Sequence, residues 1–256
     1  MLLLLRKKVI SVVSKAVIKY FEDNVFNYTI IREEYYMNKT ITIKGIGKLS
    51  LKPDQVVVLL TLKATDKNYD KAMNTAAKHL EQLRGALVGI GFTKDDLKTT
   101  NFNVGTEYES ERDKNGNYKR IFIGYSVTHK LKLEFDFDSQ RLSQTLGAIA
   151  ACIAEPELNV QFTVKDKESV NAALLENACV NAKANAGILA KASGVTLGDL
   201  ISIDYNWGEL HLFSPTQYDM EDACMRLSSA APTSIEIEPD DIDISDSVTF
   251  VWEISK

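Results

Sequence analysis

Three histidines, His79, His129 and His211, and three cysteines, Cys152, Cys179 and Cys224, are the residues of this 256-residue chain best suited to nucleophilic or metal chemistry. Their spacing does not combine them. No His-x-x-x-His pair and no Cys-x-x-Cys occurs. His211 and Cys224 share one stretch, but a zinc site takes three or four ligands. His79 stands beside Leu80 at the border of a helical apolar stripe. His129 is in phase with Val127, Leu131 and Leu133, so half-burial on a strand is expected. Both read as structural histidines, since a lone imidazole lacks the partners that catalysis needs. Cys152 and Cys179 read as small apolar residues on helices. Asp240, Asp241, Asp243 and Asp246 gather carboxylates near the C-terminus, with Asp241, Asp243 and Ser245 on one strand face. Calcium needs six to eight oxygens and usually a glycine turn. A solvated edge strand, whose charges discourage aggregation, is the expectation there. Ser193-Gly194 and Gly208 lack the Gly-x-Ser-x-Gly elbow of an esterase. No catalytic, cofactor-binding or metal residue is assigned, no cofactor is expected, and the protein is not expected to be an enzyme.

Gly45-Ile-Gly47 imitates a phosphate loop, because Ile41 to Lys44 reads as a preceding strand. A dinucleotide loop needs a third glycine and then a helix. Here Ser50 occupies the third position, and Gln55 to Lys63 is β-branched and extended. A strand, a glycine-kinked bend and a second strand are predicted, with Pro53 at the second strand's entry.

The elements that would position any site follow from periodicity. Asp66 or Asn68 caps a helix carrying Ala72, Ala76, Leu80, Leu83, Leu87 and Ile90, which Gly91 ends. Thr93 to Asp96 makes a capped turn. Residues 99–104 and 121–135 form a long antiparallel pair around the turn signal Asn115-Gly116. Alternation from Val127 to Phe135 buries one face. Asp138 or Ser139 caps a second helix with Leu142, Leu146, Ile149 and Ala150, and Val160 to Val164 is a strand. A long helix runs from about Glu168 to Ser193 and stops at Gly194. Its Leu174, Ala178, Ala182, Ala186 and Ala190 recur every four residues, small enough for close approach to a sheet or helix. Leu200 to Tyr205 and Ile242 to Ile254 are strands, and residues 206–238 are expected to form a long mobile excursion.

Composition excludes several classes. With 45% apolar and 25% charged residues the chain resembles an ordinary soluble globular protein. A net charge of −5 argues against a nucleic-acid surface. No apolar run approaches the ~20 residues that span a bilayer. The odd, scattered cysteines disfavour a disulfide framework, and a cytoplasmic location is expected. The first residues, Met1-Leu-Leu-Leu-Leu5 followed by Arg6-Lys-Lys8, reverse the charge order of a signal peptide. Residues 1–21 repeat apolar positions at helical spacing with added lysines, which would suit an anionic membrane surface. The simpler expectation is that residues 1–36 are a leader or mistranslated upstream segment. Arg32-Glu33-Glu34 can be encoded by a purine-rich ribosome-binding stretch ahead of Met37. Residues 1–36 hold six of the 30 Lys/Arg and four of the 35 Asp/Glu, so their removal leaves 24 and 31, a net of −7.

Four motifs in order carry a resemblance: Gly45-x-Gly47 with Pro53-Asp54; Thr100-Asn-Phe102 with Gly124-Tyr125; Asn181 to Ala190 with Gly194-Val-Thr-Leu-Gly198; and Ile237-Glu-Pro239 leading to Val248-Thr-Phe250. Together they resemble the SIMPL domain family across about residues 39–255. The resemblance implies an α+β fold of long antiparallel strands with about three helices, in one domain or in two halves, 39–137 and 138–255. It implies no settled activity, a link to stress, a periplasmic setting for many relatives, and rings for some. The family's signature helix usually carries an acid, a lysine and a glutamate where this chain has Asn181, Asn185 and Gly187, so any charge pairing the family makes there is not expected.

A protein acting by homo-oligomerisation or through an unknown protein partner is therefore expected, with no nucleic acid. The long 121–135 strand, the charged hairpin and the final strand are the edges expected to pair between chains. The alternatives are a ligand-binding protein or enzyme with a pocket between the halves, and a membrane-surface protein anchored by residues 1–21.

Overall fold

The computed structural model of the chain describes residues 39–112, 118–206, 208, 210–220 and 237–256. The expectations for residues 1–36, for Asn115-Gly116 and for Cys224 lie outside the described residues. The fold is α+β: among the described residues, three helices accompany eight strands in two mostly antiparallel sheets.

The strands are β1 (Thr40–Leu51), β2 (Gln55–Asp66), β3 (Leu97–Arg112), β4 (Tyr118–Asp136), β5 (Glu157–Thr163), β6 (Thr196–Asp204), β7 (Phe213–Met220) and β8 (Ile242–Ser255). The helices are α1 (Tyr69–Val88), α2 (Ser139–Ala150) and α3 (Lys167–Ala192). One sheet has the order β3-β4-β2-β5-β7 and the other β1-β8-β6.

Side-chain caps start each helix. The Asn68 carboxamide oxygen accepts from the Lys71 N–H at 3.1 Å, Asp138 Oδ1 from Arg141 N at 2.6 Å, and Asp166 Oδ1 from Ser169 N at 2.9 Å. Each bond satisfies a first-turn amide that has no partner within its helix. Helix α1 ends at Val88, three residues short of Gly91. Helix α3 ends at the expected place, where Gly194 takes φ +68°, a left-handed conformation that glycine adopts without steric penalty. In the turn after α1, the Thr93 N–H donates to Asp96 Oδ2 at 2.7 Å. That backbone bond, with a second from the Thr93 side chain, holds the Asp96 carboxyl below its ordinary range.

Contact density separates two compact units. The larger comprises Ile46–Val180 and Asn206–Ser247. Its core joins Val56, Val58, Leu60 and Leu62 of β2, Leu131, Leu133 and Phe135 of β4, and Val160 and Phe162 of β5 to Leu83 and Leu87 of α1 and Leu142, Leu146 and Ile149 of α2. The predicted alternation on β4 is present, with Val127, His129, Leu131, Leu133 and Phe135 all buried. Among the described residues, the smaller unit comprises 39–45, Asn181–Tyr205 and Val248–Lys256. It buries Ile43, Ala182, Ala186, Ala190, Val248, Phe250 and Trp252, and Phe250 stacks on Trp252 with ring centroids 5.3 Å apart.

The structure corrects several expectations. Gly45 and Gly47 do not kink the chain, because β1 continues through both to Leu51. The bend lies at residues 52–54, where Asp54 N donates to Thr163 O at 3.1 Å and Asp54 Oδ1 accepts from Lys165 N at 2.8 Å. Gly47 serves a close approach instead: a Cβ there would lie 2.0 Å from the Leu174 carbonyl oxygen of α3. The 206–238 stretch is not a structureless excursion throughout, since β7 pairs antiparallel with β5. Ser214 and Leu212 are buried beside it. Pro215 is tolerated because β7 is the last strand of its sheet, where a missing N–H breaks no ladder. Neither the 121–135 strand nor the final strand is an edge throughout. β4 lies between β3 and β2 from Tyr125 to Asp136, and β8 lies between β1 and β6 from Thr249 to Ser255. β6 pairs with β8 only over that stretch, so among the described residues the acidic start of β8 has β1 alone beside it and stays an exposed edge segment, as expected. The sheet edges are β3, β7, β1 and β6.

Candidate interaction surface

The residues with chemical potential remain apart. His129 is buried, with Nε2 2.8 Å from Thr99 Oγ1 and its ring edge-on to Phe102 at 5.1 Å. Burial first, and then the Arg84 guanidinium, lower its pKa below the ordinary 6.5. His79 on α1 is half-buried, as expected of a border position, and His211 is exposed in the approach to β7. Cys152 is buried, and that burial pushes its thiol pKa up, away from nucleophilic thiolate. It lies just beyond the end of α2, so the expectation of a helical site fails for Cys152. Cys179 is on α3 but exposed, so it is no buried apolar filler. Asp240, Asp241, Asp243 and Ser245 are exposed. Among the described residues, no three His, Cys, Asp or Glu side chains gather as metal ligands.

One open cleft of about 420 Å³ lies along β1 and β8, lined by Lys48, Leu49, Ser50, Asp243, Ile244 and Ser245. The Ser50 hydroxyl donates to Asp243 Oδ1 at 2.6 Å. A serine bonded to a carboxylate with no imidazole among the lining residues lacks the base of a catalytic triad.

His129 makes the fold sensitive to acid. Its folded-state pKa lies below 6.5, so the unfolded chain binds the proton more readily. Stability from this group is complete above the unfolded value and is lost as pH falls through the folded one. Urea midpoints at about pH 7.5 and about pH 5.5 should therefore fall further for the wild type than for His129→Gln. Equal falls would reject the assignment.

The most distinctive surface belongs to β3 and β4. β2 accompanies β4 only from Asp136 to Tyr125, where Asp66 ends the strand. Beyond that point β3 and β4 continue as a two-stranded arm, pairing Thr106 with Tyr125 and Arg112 with Tyr118. Among the described residues no third strand joins this stretch, and residues 106–112 and 118–122 are exposed on both faces. Tyr108, Tyr118, Ile121 and Phe122 are 46%, 76%, 39% and 40% exposed. The pairing places Tyr108 opposite Phe122, Ser110 opposite Arg120 and Arg112 opposite Tyr118 on one face. There Tyr108 meets Phe122 at 5.7 Å, Phe122 meets Tyr125 at 5.3 Å, and the Arg120 guanidinium lies 4.6 Å from the Tyr108 ring centre. The other face carries Glu107, Glu109 and Glu111 at alternate positions. The sequence signal for this face was the alternation of glutamates with Tyr108 and Arg112. The aromatic ladder could not be foreseen without the β3–β4 register.

Comparison with known proteins agrees with this architecture. The profile of SIMPL, described as a protein of unknown function (DUF541), matches residues 41–252. This chain belongs to the SIMPL family. Among its relatives, the "26 kDa periplasmic immunogenic protein" of Brucella melitensis biotype 1 is 24% identical over 163 residues, covering 64% of this chain and 65% of the relative. The protein of the same name from Brucella abortus strain S19 is 23% identical over the same shares. This SIMPL protein therefore spans less than two thirds of the relatives it matches. Their names place those relatives in the periplasm, unlike the cytoplasmic location expected for this chain from its sequence. Among the described residues, no helix of this SIMPL protein is long and apolar enough to cross a membrane.

Proposed function

We propose that this SIMPL-family protein acts through its surfaces, by self-assembly or by holding a protein partner, and not by catalysis. The observation that carries this reading is the β3–β4 arm. A free two-stranded ribbon is marginal in water unless something packs on it, and clustered exposed aromatics with arginine are the composition of binding hot spots. The glutamates behind them keep the arm from collapsing onto its own body or onto any apolar surface at random. Periplasmic relatives support a periplasmic setting, and the scattered, odd-numbered cysteines support a cytoplasmic one; fractionation of the native cell separates the two.

Light scattering tests the proposal, on the full chain and on a chain starting at Met37. An assembly is expected at micromolar concentration, and the double substitution Tyr108→Thr with Phe122→Thr should lower its mass. The same substitution should move folding stability by only about 0.5 kcal/mol, as for other surface changes. A monomeric wild type would count against self-assembly. An assembly or partner complex indifferent to the double substitution would remove the arm from the function.

A further inference from the structure

Among the described residues, the sheet of the smaller unit has two edges with no further strand on them, β1 and β6, on opposite sides of β8. Their residues match. β6 runs antiparallel to β8 and sets Ser202 opposite Val251, Ile203 opposite Phe250 and Asp204 opposite Thr249. On the other side, Ile254 N donates to Lys39 O at 2.8 Å, and further along the same two strands Ser50 meets Asp243. The numbers rise on β1 as they fall on β8, so β1 is antiparallel to β8 and hence parallel to β6. Counted from the Lys39–Ile254 bond, Ile43 stands opposite Phe250, Lys44 opposite Thr249 and Thr42 opposite Val251. Three rows therefore cross the sheet: Thr42–Val251–Ser202, Ile43–Phe250–Ile203 and Lys44–Thr249–Asp204.

Each row ends in a residue that suits its own beginning. We infer that the β6 edge of one copy pairs in parallel with the β1 edge of the next, so that Asp204 meets Lys44, Ile203 meets Ile43 and Ser202 meets Thr42 of the neighbouring copy. A second copy shifted sideways along the sheet brings these residues together without any change of register. The charges are complementary, and both Lys44 and Asp204 are exposed. Among the described residues neither makes an ion pair. The apolar side is also unfinished: Leu200, Ile201 and Ile203 on β6 are 46%, 48% and 57% exposed. A strand edge that carries exposed aliphatics and no proline or lysine is open to pairing. β6 has neither residue along its length, and its irregularities, between Leu197 and Leu200 and between Leu200 and Ser202, leave Ser202 to Asp204 regular. Because the two edges differ, the contact is head-to-tail, and it generates a ring or a filament instead of a closed dimer.

This inference rests on the self-assembly reading, and a charge exchange tests it separately. Lys44→Glu and Asp204→Lys are made singly in the full chain, and masses are read by light scattering, with circular dichroism confirming the fold of each. Each single variant is expected to lose at least half of the wild-type assembly mass, because like charges then face each other. Mixing the two variants should restore the wild-type mass, since both junctions become opposite in sign again. Merely damaged folding would not produce that rescue. A monomeric wild type would overturn the assembly reading itself. Wild-type assemblies whose mass survives both single substitutions, or singles that fail to rescue one another, would overturn edge pairing while leaving the assembly reading in place.

Discussion

Phe162→Ala is expected to remove about 4 kcal/mol of folding stability, the range for a large buried aromatic cut to a methyl. Phe162 is fully buried on β5. Its ring lies 5.7 Å from that of Phe137, edge to face. β5 is an inner strand between β2 and β7, and Phe162 itself pairs with Val56 of the central β2, so the void opens beneath a sheet whose ladder to β2 limits collapse into it. Urea unfolding followed by circular dichroism should show a much lower midpoint. A loss of less than about 1 kcal/mol would mean that the site relaxes far more than close-packed cores do.

Gly47→Ala is expected to cost about 3 kcal/mol, a large effect for a single methyl group. The added Cβ would lie 2.0 Å from the Leu174 carbonyl oxygen and 3.2 Å from the Ala178 amide nitrogen, both backbone atoms of α3. Backbone inside a regular helix cannot swing aside as a side chain can, so strand and helix must separate. Leu174 and Ala178 are themselves fully buried, and their packing would loosen with that shift. The neighbouring Asn177 amide, which donates to Lys48 O at 3.5 Å, would lose its partner as well. Chemical denaturation provides the measurement. An alanine variant within about 0.5 kcal/mol of the wild type would show that α3 does not press on β1 at this point.

These two positions mark what the sequence could and could not disclose. The apolar periods of 2 and 3.6 located β2, β4, α1, α2 and α3, because those elements bury one face against a core. The spacing of Leu174, Ala178, Ala182, Ala186 and Ala190 by four announced a close approach, and Gly47 is one of its receiving surfaces. The link was missed because a glycine pair in a strand is equally consistent with a bend, and only the partner decides. β7 escaped notice for a related reason. Its residues, Phe213-Ser-Pro-Thr-Gln-Tyr-Asp-Met220, have little alternation, since an edge strand needs only one hydrogen-bonded neighbour. The order of strands was the least readable feature. Nothing local in β4 or β8 reveals that a strand flanks each on both sides over part of its length, so from sequence alone both read as edges. The arm was legible in part: the long pair and its charged flanks were foreseen, but not the absence of β2 beyond Asp66, which is what leaves the aromatics uncovered.

The division of the fold into two contact units has a practical outcome for anyone dissecting the protein by truncation. The smaller unit is stitched from three stretches far apart in sequence, and β1, α3 and β8 each pass from one unit to the other within a single element. No contiguous fragment isolates either unit from the other: one running from 46 to 247 holds the larger unit but carries 181–205 of the smaller, and the smaller is whole only in the entire chain. Deleting Val248–Lys256 strips Phe250 and Trp252 from the smaller unit and shortens β8. Stopping at Val180 cuts α3 in mid-helix. Deletion series would therefore report unfolding at nearly every cut and assign every function to the whole chain, whereas point substitutions at β6 and on the arm leave the scaffold standing and can be interpreted one at a time.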